Sequence, residues 1–316
     1  MYDVTTVGEI LIDLTQSGIS DTGIPIYTAN PGGAPANVAV AASRLGAKAA
    51  FIGKIGDDAY GRLLIDTLKK NKVGTEGVIV DKSANTTLAI VSVNESGERS
   101  FAFYRKNCAD TLLSENEITD EQLRNTRVLH FGSISLTDEP SKTATISSVR
   151  RAKDLGATIT YDPNYRESLW SGADEAVKGM KEPLGLVDIL KISDEELPML
   201  SGADDPDEGT KVLYATYGIK LILVTLGAKG AYYRFKDCCG IVDGVKVKVA
   251  DTNGAGDTFF GAFLSRMAAE NKFETSKLTE EDIRRMLKFA NRAAALTTSR
   301  SGAIPAMPAL DELSAE

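Results

Sequence analysis

The sequence predicts an α/β protein with a central, mostly parallel sheet flanked by helices and a small antiparallel β lid. Three observations carry that expectation. Apolar runs of strand length alternate with segments of helical period, as in 49–54 followed by 60–71, and 128–132 followed by 141–155 and then 158–161. Around 86–105 the rhythm changes to two strands with no helix between them, which cannot continue a parallel sheet and reads as an inserted hairpin. The 316 residues, 43% hydrophobic and 25% charged, suffice for one large α/β domain or two smaller ones with a substantial core. The chain is therefore read as a single α/β domain over 1–316, with lid insertions at about 14–30 and 85–106.

Charge and cysteine content narrow the function classes. A net charge of −8 argues against nucleic acid or an anionic membrane as a main partner, since both want a basic face. Cys108, Cys238 and Cys239 form an odd, sparse set with two neighbours adjacent and no CxxC spacing, which reads as reduced thiols in a cytoplasmic protein. The start Met1-Tyr2-Asp3-Val4 has no basic n-region followed by an apolar stretch, and no uncharged run is long enough to span a bilayer.

In chain order, 4–14 reads as one buried strand, with Asp13 between Ile12 and Leu14. Alternation alone puts that acid on a wet face. Gly32 and Gly33 remove side-chain bulk so that a ligand can approach the backbone, although turns also use such pairs. Asn37 follows on the first turn of an alanine-rich helix closed by Gly46. The segment 86–93, a turn at 94–98 and 100–105 form the lid hairpin, and part of 18–28 adds further strands. Phe101 and Phe103 share a face that is either the packed underside of the lid or a platform over a ligand. Arg105 either reaches a polar ligand or is a solvated strand-end charge. His130, the single histidine, sits in an apolar strand and reads as a hydrogen-bonded core residue.

The strand at 158–161 ends in Asp162-Pro163-Asn164-Tyr165-Arg166, at the carboxyl edge where open α/β sheets place their sites. The strand at 187–192 leads into Ser193-Asp194-Glu195-Glu196, which capping alone explains. The strand at 221–226 runs into Gly227-Ala228-Lys229-Gly230 and a returning strand at 231–235. Neither a Walker A loop nor GxGxxG occurs. The acidic run 203–208 reads as a solvated loop entering a helix. Finally, 249–261 reads as a strand end, a glycine turn and a helix bearing Phe259, Phe260, Phe263, Leu264 and Met267 at helical spacing. The turn points N–H groups at one spot with the positive helix end behind them. A carboxylate there, Asp257, either caps the helix or takes a proton from a hydroxyl while the turn neutralises the group under attack. The closing helix at 280–299 carries Asn291, which by itself reads as a solvent-facing residue.

The string Asp251-Thr252-Asn253-Gly254-Ala255-Gly256-Asp257 resembles, residue by residue, the signature of the ribokinase-like sugar kinases, the PfkB carbohydrate kinase family. Further similarities run along nearly the whole chain: Gly8 to Asp13, Gly32-Gly33 with Asn37, Asp162 to Arg166, Glu196, and Thr225 with Gly227 and Gly230. The resemblance implies a ribokinase-like fold and an ATP- and Mg²⁺-dependent kinase for a small sugar. It implies Asp257 as catalytic base, Gly254, Ala255 and Gly256 as anion hole, and Arg166 near the moving phosphate. It also implies Asp13, Gly32, Gly33 and Asn37 as sugar contacts, to which the lid reading above adds Phe103 and Arg105 as candidate substrate-binding residues. Thr225, Gly227, Gly230 and Asn291 would line the nucleotide. Glu196 matches the acid of the family's Asn-x-x-Glu motif, which organises Mg²⁺ through water, while Ser193 replaces its Asn. K⁺ beside Asp251 and Thr252 and a homodimer through the lid are further family traits. Pro31 to Asn37 and Asp162 to Arg166 are most similar to the bacterial fructokinase branch, which implies phosphorylation of the 6-hydroxyl of fructose. A 2-keto-3-deoxygluconate kinase is the near alternative, since Arg105 and Arg166 could face a carboxylate. A sugar sensor would have no need of Asp257, and a dinucleotide oxidoreductase lacks its fingerprint.

Overall fold

The apolar run at 4–14 makes two strands in two different sheets. β1 (Tyr2–Val7) ends at Gly8, whose φ of 146° turns the chain sharply, and β2 (Leu11–Ile19) leaves for the lid. An apolar pattern reports burial, and both strands are buried over this stretch, so the pattern alone could not show the break.

The computed structural model describes residues 1–93 and 99–313. After β2 come β3 (Pro25–Gly32), α1 (Ala34–Arg44), β4 (Ala49–Gly56), α2 (Ala59–Lys70), β5 (Gly74–Asp81), β6 (Leu88–Val93) and β7 (Arg99–Tyr104). Next are α3 (Asp120–Arg124), β8 (Thr126–Gly132), α4 (Ser141–Asp154), β9 (Thr158–Asp162), α5 (Ala173–Lys181), β10 (Ile189–Ser193), α6 (Glu196–Ser201) and α7 (Pro206–Tyr217). The chain closes with β11 (Leu221–Thr225), β12 (Ala231–Phe235), β13 (Cys238–Val242), α8 (Ala255–Ala269), α9 (Glu280–Thr298) and α10 (Leu310–Leu313). The lid turn expected at 94–98 lies outside the described residues.

Among the described residues the main sheet has nine strands in the order β13-β12-β11-β10-β9-β8-β1-β4-β5, parallel from β11 to β5. The hairpin β11-β12-β13 extends it antiparallel, as the pattern at 221–235 predicts. β5 escaped the sequence reading because Gly74, Glu76 and Gly77 interrupt its apolar run. The second sheet, β3-β2-β6-β7, is the lid. Its two hairpins are antiparallel, and they meet through one parallel pairing, β2 with β6. The strand end expected at the start of 249–261 is irregular chain instead.

Helices cover both faces of the main sheet, with one apolar cluster under α1, α8 and α9 and another under α4 to α7. α8 lies deepest, with Phe259, Phe260, Phe263, Leu264 and Met267 all at most 2% exposed. Asp205 accepts from the N–H groups of Asp207 and Glu208 and so caps α7, at the helix entry expected after that acidic run. His130 is a core residue as its strand implies: it is buried, contacts Thr160 Oγ1 at 3.2 Å and packs edge-on against Phe260. Burial lowers its pKa to about 3, so the ring is neutral at physiological pH. Cys108, Cys238 and Cys239 are all unpaired.

Candidate active site

Asp257 stands on the first turn of α8, 6% exposed, at the carboxyl edge of the parallel strands. Two amides hold its carboxylate. Asn37 Nδ2 donates to Oδ2 at 2.8 Å, and Asn164 Nδ2 to Oδ1 at 3.3 Å. Burial pushes the carboxyl above its ordinary value, while the Asn37 bond and the charges of Lys191 and Arg166 pull it back. The result is an ionisable group in a dry place whose charged form is nonetheless supported.

The α1–α8 crossing explains why Asn37 reaches it. A Cβ on Gly261 would stand 2.6 Å from Ala41 Cβ and 2.8 Å from Val38 O, so only glycine lets the helices approach this closely. Ala41 is one turn beyond Asn37 and Gly261 one turn beyond Asp257, so the same register that seats the glycine pairs the two polar side chains. Gly261→Val is expected to lower stability by about 1–3 kcal/mol through overpacking. Thermal denaturation checks this, and an unchanged melting temperature would show that the helices do not need the contact.

The sugar-side residues form a continuous set around the start of α1. Gly33, φ 103°, precedes the helix with its Cα where a Cβ would stand 2.6 Å from Glu9 O. A Cβ on Gly32 would overlap the Asp13 carboxylate, so only glycine leaves room for that acid, which is buried rather than on a wet face. Asn30, Asp13, Ala89 and Phe103 are successive register partners across β3, β2, β6 and β7, so their side chains share one face of the lid. The side chain of Phe101 lies outside the described residues. Asn37 Oδ1 is buried with no partner among the described residues, an acceptor left for a ligand hydroxyl. Glu9 Oε1 accepts from Ala34 N at 3.0 Å and braces this loop from behind, and burial raises its carboxyl to about 7.

Arg105 requires a correction. The sequence left it as either a lid cation reaching a ligand or a solvated strand-end charge, but the residue is 5% exposed. Its guanidinium donates to Asp110 Oδ2 at 2.6 Å, Thr137 Oγ1 at 2.6 Å, Asp138 Oδ2 at 2.8 Å and Ile134 O at 3.0 Å. The nearby acids, five and 33 residues further on, claim the cation and turn it into a clamp between lid and main sheet.

Beside the turn that precedes Asp257 a cavity of about 610 Å³ opens, lined by Thr225, Gly227, Gly230, Thr252, Ala255, Gly256 and Asn291. Val245, Val247 and Val249 supply an apolar wall the sequence reading did not recognise, because a Val-Lys-Val-Lys-Val alternation looks like a strand. Asn291 does not face solvent: it is 7% exposed and donates to Val242 O and Asp243 O, both at 3.0 Å, fixing the cavity rim. Gly254 caps α8 without a side-chain bond, so the first-turn N–H groups carry the positive helix end to the cavity. Of these, the Ala255 N–H makes a long 3.3 Å contact with Thr252 O.

Glu196 starts α6, with Asp194 and Glu195 in the turn before it rather than in the helix. Its Oε2 accepts from Ser193 N at 2.8 Å and Ser193 Oγ at 3.1 Å, and Oε1 from Tyr165 N at 2.7 Å. It therefore ties β10 to the loop carrying Asn164 and Arg166. Arg166 Nη1 donates to Asn164 Oδ1 at 2.7 Å, which orients the amide that faces Asp257. Asp251 Oδ1 accepts from Asn253 N at 2.7 Å and Oδ2 from Gly302 N at 2.9 Å, shaping the turn before α8. Among the described residues no cluster of three or more His, Cys, Asp or Glu side chains forms a metal cage.

Sequence reasoning missed Asn164 and the buried pair Lys191–Asp162, whose Nζ–Oδ2 distance is 2.8 Å. A lysine inside the apolar run of β10 was the available signal, because such a charge is costly to bury without a partner.

A sequence model described as "pfkB family carbohydrate kinase" matches residues 1–310. The chain is 45% identical to a probable fructokinase-2 of Arabidopsis thaliana, covering 96% of this chain and 92% of that protein. It is 43% identical to fructokinase-2 of Solanum lycopersicum over 98% of this chain and 94% of that one. Among solved structures it is similar to a fructokinase with bound ATP from Xylella fastidiosa, at TM-score 0.90 and 33% identity, covering 99% and 97% of the two chains. A double-mutant fructokinase from Vibrio cholerae O395, bound to fructose, ADP and potassium ion, matches at TM-score 0.88 and 36% identity over 99% and 97%.

Proposed function

The chain belongs to the pfkB family of carbohydrate kinases and has the ribokinase-like fold, and from that premise we propose that it transfers the γ-phosphate of ATP to the 6-hydroxyl of D-fructose. The observation that carries this reading is Asp257, bonded to Asn37 of the sugar-side set and directly following Ala255 and Gly256 of the 610 Å³ cavity wall, with its charge supported on both oxygens. The similarity to named fructokinases over nearly the full chain supports fructose as the sugar. Arg105 supports it too: held in its ion pairs, it does not supply one of the cations that a sugar acid would want.

In the proposed reaction Asp13, Asn37 and the Gly32-Gly33 backbone hold the sugar, and Phe103 lies across it from the lid. Asp257 takes the hydroxyl proton, and the Gly254–Gly256 turn donates to the phosphoryl oxygens. Arg166 adds positive charge and sets Asn164. Thr225, Gly227, Gly230 and Asn291 shape the nucleotide cavity. Mg²⁺ bound to ATP would offset phosphate charge. Glu196, whose oxygens already accept three bonds, suits holding that ion's water rather than the ion itself. K⁺ is proposed beside Asp251 and Thr252, where a carboxylate and loop carbonyls offer hard oxygen ligands. The lid strands present exposed Ile19, Ile26, Tyr27 and Tyr104, which supports a homodimer through the lid. The whole is read as one domain with a two-part lid, and its three unpaired cysteines support a cytoplasmic setting. Among the described residues no helix is long and apolar enough to cross a membrane.

Because the base must be ionised and burial raises its pKa, kcat/KM is expected to fall as pH drops through a value above the ordinary aspartate range. A pH–rate profile with no acid limb above that range would contradict this. The function itself is tested by ADP release on a panel of fructose, 2-keto-3-deoxygluconate and ribose. Fructose is expected to give the highest kcat/KM, and preference for either other sugar would displace it.

A further inference from the structure

β10 places Lys191 between Leu190 and Ile192, where it is 5% exposed. Its ammonium donates to Asp162 Oδ2 at 2.8 Å, and among the described residues that is the one acceptor found for its three N–H groups. The second oxygen of Asp162 is buried without a partner. A Cβ on Gly256 would stand 3.0 Å from Lys191 Nζ, so the glycine lets the ammonium abut the first turn of α8. A buried ion pair kept only for stability does no better than apolar residues of the same volume. A buried cation with two uncommitted donors beside an anion hole has a different use.

We propose that Lys191 donates, past Gly256, to an oxygen of the phosphoryl group in transfer, with Asp162 holding the ammonium in place. This rests on the kinase reading above. In the step, the sugar oxygen bonds to the γ-phosphorus while the bond from that phosphorus to the β,γ-bridging oxygen breaks. The hydroxyl proton passes to Asp257, the electron pair of the broken bond stays on ADP, and Lys191 keeps its protons throughout. Burial opposes the lysine's charge, but the carboxylates of Asp162, Glu196 and Asp257 more than offset it and raise its pKa. A compact ammonium fits the gap beside Gly256 where a guanidinium fork would need more room.

The test compares wild type, Lys191→Met and the charge-free pair Lys191→Met with Asp162→Asn. The single change leaves a buried carboxylate unpaired, so the double variant carries the decision. It is expected to fold and to lose about 10²–10³-fold in kcat, the effect of removing one donor from an oxyanion site. The fructose KM should change little, and calorimetry should show weakened binding of β,γ-imido-ATP with ADP binding kept. A folded double variant with wild-type kcat and unaltered binding of both nucleotides would overturn the proposal. Should that variant not fold, Gly256→Ala, whose methyl would displace the ammonium, is expected to fold and lose kcat, and wild-type kcat there would overturn it equally. Wild type that fails to phosphorylate fructose would defeat the underlying reading instead, and the calorimetric comparison would still decide the role of Lys191.

Discussion

Asp257→Asn is expected to lower kcat by about 10²–10⁴-fold while ATP and fructose affinities stay within a few-fold of wild type. The substitution keeps the side chain's shape and an oxygen that can accept from Asn37 or Asn164. It removes the proton acceptor alone. Folding should not suffer, because a buried carboxylate is replaced by a neutral amide. Single-turnover kinetics with saturating ATP separates the chemical step from binding, and calorimetry checks the affinities. Near-normal turnover in the folded variant would remove Asp257 from the role of base.

The second large effect falls on stability. Arg105→Met is expected to lower the unfolding free energy by about 3–5 kcal/mol, because it leaves a buried carboxylate without its partner. The side chains of Arg105 and Asp110 are 5% and 2% exposed, and Asp110 also accepts from Thr87 at the start of the second lid hairpin. The clamp therefore joins that hairpin to the loop after β8, where Ile134, Thr137 and Asp138 receive the other bonds. Adding Asp110→Asn should recover much of the loss, since the two residues act as a unit. Urea denaturation of the two variants measures both changes. A fully stable Arg105→Met protein with a large rise in fructose KM would instead restore direct sugar contact.

Local chemistry was legible in the sequence, and long-range partnership was not. The glycine turn before Asp257, the pair Gly32-Gly33 and the helix carrying Asn37 each have a short-range signature, and all three lie around one site. The strand–helix alternation likewise marked β4, β8, β9, β10 and β11 of the main sheet, and the change of rhythm marked the β6–β7 hairpin of the lid. What escaped depended on residues far apart in sequence. Gly8 breaks an apolar run that looks continuous, and only the fold shows β1 and β2 parting into separate sheets. Arg105 looked free because its meaning lies in Asp138, 33 residues on, and in a carbonyl of the same loop. Lys191 was overlooked because Asp162 sits 29 residues upstream on the neighbouring strand.

The central claim is that one buried acid activates the 6-hydroxyl of fructose toward the terminal phosphorus of ATP. Carbon NMR of the product formed from ATP and fructose labelled with ¹³C at position 6 tests it most directly. Phosphorus coupling should split the C6 resonance as ADP accumulates in equal amount. A C6 signal that stays unsplit while ATP is consumed, or ATP that is not consumed at all, would contradict the claim.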